Sequence, residues 1–154
     1  MSNPNVKPAQ GKLGVMVVGL GAVSTTFMTG VLMTRKGLAK PVGSMTQYDK
    51  IRVGKGADKK YLHYKDIVPI ADLNDIEFAA WDVYPANAYE SAINAEVLKE
   101  KDIEPVADEL KAIKPMRAAF DHNYAKRLDG ENYMKGATRW EMVENIRKDI
   151  RDFK

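Results

Sequence analysis

Between an apolar run and a segment of helical spacing, the chain reads Gly19-Leu20-Gly21-Ala22-Val23-Ser24. Two glycines separated by one residue let the backbone turn sharply at Gly19 and let a ligand approach closely at Gly21. The amides of Ala22, Val23 and Ser24 then stand at the start of a helix, where the positive end of its dipole faces an anion. Such a turn holds the pyrophosphate of a dinucleotide. The third small position of that fingerprint is Ser24 rather than Gly or Ala, and Ser24 and Thr25 could add hydroxyl donors. The plain alternative is a glycine turn that merely joins a strand to a helix. The fingerprint's usual companion is an acid about 20 residues on, at the end of the second strand, where it takes the ribose hydroxyls. Here that region, Lys36 to Lys40, is basic, and the first acid at the end of a convincing strand is Asp82. Asp82 is therefore either a ribose or adenine contact, or a helix cap or turn residue.

The turn needs a strand before it and a helix after it. Leu13 to Leu20 (LGVMVVGL) has the Val-rich, continuous apolar character of a strand buried on both faces of a parallel sheet. From Ala22 to Arg35, Val23, Phe27 and Val31, joined by Met28 and Leu32, recur at helical spacing and are expected to face the core. Lys50 to Val53 and Lys60 to Tyr64, with Gly54, Gly56 and Asp58 between them, predict a hairpin or ordered loop. Glu77 to Val83 (EFAAWDV) reads as the next buried strand. Alternation along it points Trp81 at the core and Asp82 the other way, with stacking of Trp81 on adenine as the alternative.

Tyr89, Ile93 and Val97 mark one face of a following helix. Asp102 is placed to cap another, with Pro105 in its first turn, Val106, Leu110 and Ile113 on its buried side, and Lys114-Pro115 ending it. Met116 to Phe120 reads as a short strand leading into Asp121, and His122 to Gly136 as a polar loop. Thr138 and Glu141 form a capping box for a last helix whose apolar face is Val143, Ile146, Ile150 and Phe153. The expected fold is α/β: a Rossmann-like parallel sheet flanked by helices, incomplete, forming the first part of a dinucleotide-binding domain over residues 13–154. A flexible arm is expected at residues 1–12.

The 154 residues suffice for one core, and 45% hydrophobic with 29% charged residues is a globular composition, not a disordered or fibrous one. The net charge of +3 is mild and its acids are interspersed with its bases, so no nucleic-acid face stands out. Zero cysteines exclude disulfides, a thiol nucleophile and cysteine-based metal sites, and fit a reducing cytoplasm. No apolar run reaches membrane length and the opening residues lack the apolar core of a signal peptide, so a soluble cytoplasmic protein without a membrane partner is expected. The two histidines, His63 and His122, announce no metal site. Lys50, Arg52, Lys55, Lys59, Lys60 and Lys65 read as the solvated face of the hairpin, with phosphate attraction as the lesser alternative.

Five segments occur together in the order and spacing of one enzyme family: GLGAVSTT at 19–26, GSMTQ at 43–47, KDIVPIADLNDIEFAAWDV at 65–83, KP at 114–115, and KGATRWEMVENIRKDIRDFK at 135–154. From about Leu13 onward the chain resembles the amino-terminal, NAD-binding part of the inositol-3-phosphate synthases. The resemblance implies that the complete enzyme is an isomerase of inositol and phospholipid biosynthesis, turning D-glucose 6-phosphate into 1D-myo-inositol 3-phosphate. NAD would be reduced and re-oxidised within one turnover, and the protein would assemble as a homo-oligomer, a tetramer in the family. The family's catalytic lysines belong to motifs beyond Lys154, so the resemblance assigns no catalytic residue here.

It does imply cofactor-binding residues. The family's phosphate loop aligns with Gly19, Gly21, Ala22, Val23 and Ser24, and the aspartate of its Gly-Gly-Trp-Asp motif with Asp82 in Ala79-Ala80-Trp81-Asp82. Ala22, Val23 and Ser24 replace a Gly-Asn-Asn-Gly character, which removes side-chain amides and leaves backbone donors. Phe120-Asp121-His122-Asn123-Tyr124 stands where many members have Tyr-Asp-Pro-Asp-Phe, which makes Asp121 a further cofactor candidate. Asp129 and Asn132 fall where those members carry other cofactor-contacting polar groups.

On this reading the chain stops before the residues that would complete the enzyme and is expected to be inactive alone, with a sheet edge and a helix face awaiting cover. A stand-alone nucleotide-binding or interaction module without catalysis is the alternative. A small NAD-dependent oxidoreductase ranks last, because no catalytic base or Tyr–Lys pair presents itself.

Overall fold

The structure, a computed structural model, describes residues 10–154. The first nine residues of the expected arm lie outside the described residues. Within the remainder of that arm, Lys12 Nζ reaches Glu77 Oε1 at 2.5 Å.

The Val-rich run forms β1 (Leu13–Val18), which pairs in parallel with β4 (Ile76–Asp82) from Leu13↔Ile76 to Val18↔Trp81. β4 pairs in parallel with β5 (Met116–Arg117), giving the order β1-β4-β5. Parallel neighbours need crossover connections. The first contains α1 (Ala22–Arg35); the second contains α3 (Ala88–Asn94), α4 (Glu100–Ile103) and α5 (Ala107–Ala112). The result is one βαβαβ half of a dinucleotide-binding sheet.

Its core lies on one face, where Val17 and Phe78 pack against a cluster that includes Met28, Leu32, Ala92, Ile103 and Leu110. The alternate residues of the sheet face α6 (Arg139–Phe153). There Trp81, 6% exposed, donates from Nε1 to Asp149 Oδ2 at 2.8 Å. Phe153 lies so close over Gly14 that a Cβ built there would meet its ring at 2.7 Å. Trp81 is thus buried under a helix, as alternation along the strand indicates. Between α1 and β4 the chain inserts α2 (Met45–Tyr48) and the expected hairpin, β2 (Lys50–Val53) with β3 (Lys60–His63), antiparallel with Lys50 opposite His63.

Several expectations need correction. β1 is not buried on both faces: Val18 is 90% exposed, Leu13 is 45% exposed, and no residue of the strand is fully buried. The buried line of α1 runs through Thr25, Met28, Thr29, Val31 and Leu32, while Val23 is 84% exposed and Phe27 is also exposed. Thr25 tolerates burial because its hydroxyl donates to the Gly21 carbonyl at 3.0 Å, so its methyl can face the core. In α3 the buried residues are Ala88 and Ala92; Ile93 and Val97 are exposed, Val97 lying past the helix end.

Asp102 sits inside α4 rather than at its cap, and Pro105 lies in a 3₁₀ turn, Glu104–Val106, that leads into α5. Val106 and Leu110 are fully buried as expected. The third strand ends at Arg117, not Phe120, and Ala118 bridges to Tyr133 instead. The Thr138–Glu141 capping box opens α6 as read, but no residue of that helix is fully buried.

Candidate functional site

The turn after β1 is fixed by two amides. Gly19 takes φ 94°, a left-handed value that favours glycine, and its N–H donates to the Trp81 carbonyl at 2.7 Å. The Leu20 N–H donates to Asp82 Oδ2 at 2.5 Å, and Asp82 Oδ1 accepts from the Tyr84 N–H at 2.9 Å. Asp82 therefore ties the glycine turn to the turn that follows β4, a structural duty that spacing alone does not reveal.

Gly21 is the N-cap of α1 in an extended conformation (φ −81°, ψ −169°), and no side chain caps this helix. The first helical bond runs from Thr25 N–H to the Gly21 carbonyl at 3.1 Å, which leaves the amides of Ala22, Val23 and Ser24 ahead of the hydrogen-bond ladder. The hydroxyls offered by the sequence as extra donors face inward instead: Ser24 Oγ donates to the Gly19 carbonyl at 2.7 Å, and Thr25 to Gly21. A Cβ built on Gly21 would meet nothing within 4 Å. No protein contact and no unusual φ demands glycine there, so the space above it fits a ligand that must approach the backbone.

That space belongs to a hollow of about 600 Å³ at the carboxyl edge of the sheet. Such edges are where open α/β sheets bind their ligands. Gly19 to Ala22 and Asp82 to Tyr84 line it; the rest is mostly apolar, including Ala95, Ala118, Ala119 and Phe120. Among the described residues, the one charged side chain in its lining is Asp82. The arrangement suits a ligand whose phosphates sit at the helix start and whose hydroxyls reach a carboxylate.

The loop after β5 forms the far rim. Asp121 does not line the hollow: Oδ1 accepts from the Asn123 N–H at 2.9 Å, and Oδ2 lies 3.7 Å from Arg139. Asn132 works as a staple, donating from Nδ2 to the Asp82 carbonyl at 2.9 Å and toward Met116 O at 3.2 Å, while its N–H donates to the Val83 carbonyl at 2.8 Å. Gly130 presses against the same carbonyl, where a Cβ would come within 2.4 Å. Asp129 is exposed on this loop. His122 Nε2 lies 2.9 Å from the Tyr133 hydroxyl, edge-on to Phe120. Among the described residues no three His, Cys, Asp or Glu side chains are grouped to hold a metal.

A second cavity, about 650 Å³, lies between the end of α1, the hairpin and the loop before β4. Its lining sets three cations, Arg35, Lys50 and Lys65, against two acids, Asp49 and Asp72, a net charge of +1. Arg35 is committed to the carbonyls of Leu73, at 2.7 Å, and Ile76. The carboxyl-edge hollow is the better candidate site.

The sequence pattern of the myo-inositol-1-phosphate synthase family, for its NAD-binding domain, matches residues 13–154. Inositol-3-phosphate synthase 1 of Bacteroides thetaiotaomicron is 61% identical over 150 residues, covering 97% of this chain and 34% of that protein. Inositol-3-phosphate synthase 1 of Oryza sativa subsp. japonica is 33% identical, covering 93% of this chain and 31% of that protein. The crystal structure of inositol-3-phosphate synthase from Caenorhabditis elegans matches with a TM-score of 0.82 at 28% identity, over 96% of this chain and 32% of that one. The chain therefore spans about a third of the length of these relatives.

Proposed function

This chain belongs to the myo-inositol-1-phosphate synthase family, and on that footing we propose that it is the cofactor-holding portion of an enzyme that isomerises D-glucose 6-phosphate to 1D-myo-inositol 3-phosphate. NAD, when bound, supplies the chemistry of taking a hydride from a sugar carbon and giving it back. The residues here bind and orient it. The amides of Gly21, Ala22, Val23 and Ser24 hold the pyrophosphate, and Gly19 sets the bend that aims them. Asp82, fixed by the Leu20 and Tyr84 amides, still has a lone pair on each oxygen to accept from ribose hydroxyls. Asp121 acts at one remove, ordering the turn just beyond Phe120 on the rim.

The observation that carries this reading is the uncapped start of α1, open above Gly21, facing a hollow whose charged lining is a single carboxylate. Among the described residues no lysine lines the hollow, and binding without turnover is what we propose for this chain. The sugar phosphate, a homotetrameric assembly and a cytoplasmic setting are proposed for the whole protein. Calorimetry with NAD is the test. We expect saturable binding near one to one and affinity for NADP lower by roughly tenfold or more, because a 2′-phosphate would meet Asp82 with no cation beside it. We also expect no turnover of glucose 6-phosphate. The absence of any NAD binding at millimolar cofactor would overturn the reading.

A further inference from the structure

With the pyrophosphate at Gly21 to Ser24 and the adenosine ribose at Asp82, the rest of the lining, from the end of α3 and from the residues that follow β5, is left to meet the adenine. The inference rests on the NAD reading above. That part of the lining includes Ala86, Ala95, Ala118, Ala119, Phe120 and Leu128, low apolar walls that suit a flat heterocycle. Such walls accept any purine. Discrimination among purines needs polar atoms, and apart from Asp82 and the indole of Trp81 the polar side chains in the lining are Tyr84, Ser91 and Asn94, of which Asn94 alone carries a donor and an acceptor side by side.

Ser91 directs its hydroxyl toward the Ala86 carbonyl at 3.5 Å. Asn94 is the last residue of α3, three positions on and so on the same helical face, exposed and lining the hollow. Its carboxamide offers an acceptor beside a donor, and the adenine edge offers the complement, an exocyclic amino donor beside a ring-nitrogen acceptor. The helix is held at both ends. The Asn87–Glu90 capping box fixes its start, with both bonds at 3.0 Å. Its end is closed by the Ala95 N–H to the Ser91 carbonyl at 3.0 Å and by Glu96 at φ 53°. A non-glycine residue in the left-handed region is uncommon and persists where the surroundings impose it, so the backbone that carries Asn94 ends in an imposed turn.

We propose that Asn94 is a specificity-determining residue that reads the adenine base of the cofactor through its 6-amino group. The test compares NAD with its 6-desamino analogue, nicotinamide purine dinucleotide, by calorimetry on the wild-type chain and on Asn94→Leu, a change that keeps the branching at Cγ and sits at an exposed helix end, with folding checked by circular dichroism. The wild type should bind NAD roughly tenfold more tightly than the analogue, the worth of about one hydrogen bond. Asn94→Leu should bind the two alike, near the wild-type affinity for the analogue. An equal preference for NAD in both proteins, or no preference in the wild type, would overturn the assignment while leaving the cofactor reading intact. Failure of the wild type to bind either dinucleotide would overturn the cofactor reading and this assignment with it.

Discussion

Replacing Gly21 by alanine separates what the turn does for folding from what it does for a ligand. Gly21 is extended, and an added Cβ has open space around it. The substitution narrows the unfolded ensemble, worth about 0.4–1 kcal/mol, and gives up glycine's advantage at an N-cap, a comparable sum of opposite sign. The two nearly cancel, so unfolding free energy should change by no more than about 0.5 kcal/mol. Binding should suffer far more. A methyl above Gly21 holds the pyrophosphate away from the amides, and losing one charge-assisted hydrogen bond removes about 1.5–3 kcal/mol, or roughly ten- to hundredfold in affinity.

Gly19→Ala is the contrast. At φ 94° its cost is backbone strain of about 1–3 kcal/mol, since the new Cβ would meet only Asp82 Oδ2, at an ordinary 4.0 Å. Its melting temperature should fall by several degrees, roughly 2–4 °C for each kcal/mol in a domain of this size. Thermal unfolding and NAD calorimetry on both variants read these effects. A folded Gly21→Ala protein that binds NAD as tightly as wild type would refute the reasoning, because the open space over Gly21 would then have no bearing on the ligand.

Asp82→Ala should lower unfolding free energy by about 2–4 kcal/mol, because it strips the acceptor from the Leu20 and Tyr84 amides, whereas Asp82→Asn, which keeps one acceptor oxygen, should lose less; urea midpoints compare them. Gly130→Ala would force a Cβ against the Val83 carbonyl, so amide exchange in residues 121–136 should accelerate markedly, and unchanged protection there would contradict the close approach. The Thr138 backbone and hydroxyl bonds hold the Glu141 carboxyl below its usual 4.5. Its contribution should therefore be complete above pH 4.5 and lost as pH falls through the lower folded value. The stability difference between wild type and Glu141→Gln should be flat at neutral pH and shrink in acid, which circular dichroism across a pH series will show.

The parts of this fold legible in sequence are those set by local chemistry. The glycine turn between an apolar strand and a helix, the Thr138–Glu141 box and the Gly-punctuated hairpin all stand where their residues indicate. What escaped is decided by neighbours distant in the chain. Val23 fits the helical stripe yet is 84% exposed, while Thr25 and Thr29 are buried, a choice made by what packs on α1 rather than by its own spacing. Ala88 and Ala92, not the bulkier Ile93, are the buried residues of α3, a helix that packs against α1 and α5. Asp82 was found as an acid at a strand end, yet its bonds to Leu20 and Tyr84 depend on the parallel register of β1 with β4. Asn132 and Gly130 carried no local signal for their grip on the end of β4, and Asp121 proved to be a turn former beside the hollow rather than part of its wall.

Amide-resolved magnetic resonance of the labelled chain, titrated with NAD, reads the anion cradle atom by atom. Saturable shifts at the N–H groups of Gly21, Ala22, Val23 and Ser24, larger than those around the hairpin cavity, are the expected result. Resonances at those four positions that stay still while NAD binds elsewhere, or that never respond at all, would contradict it.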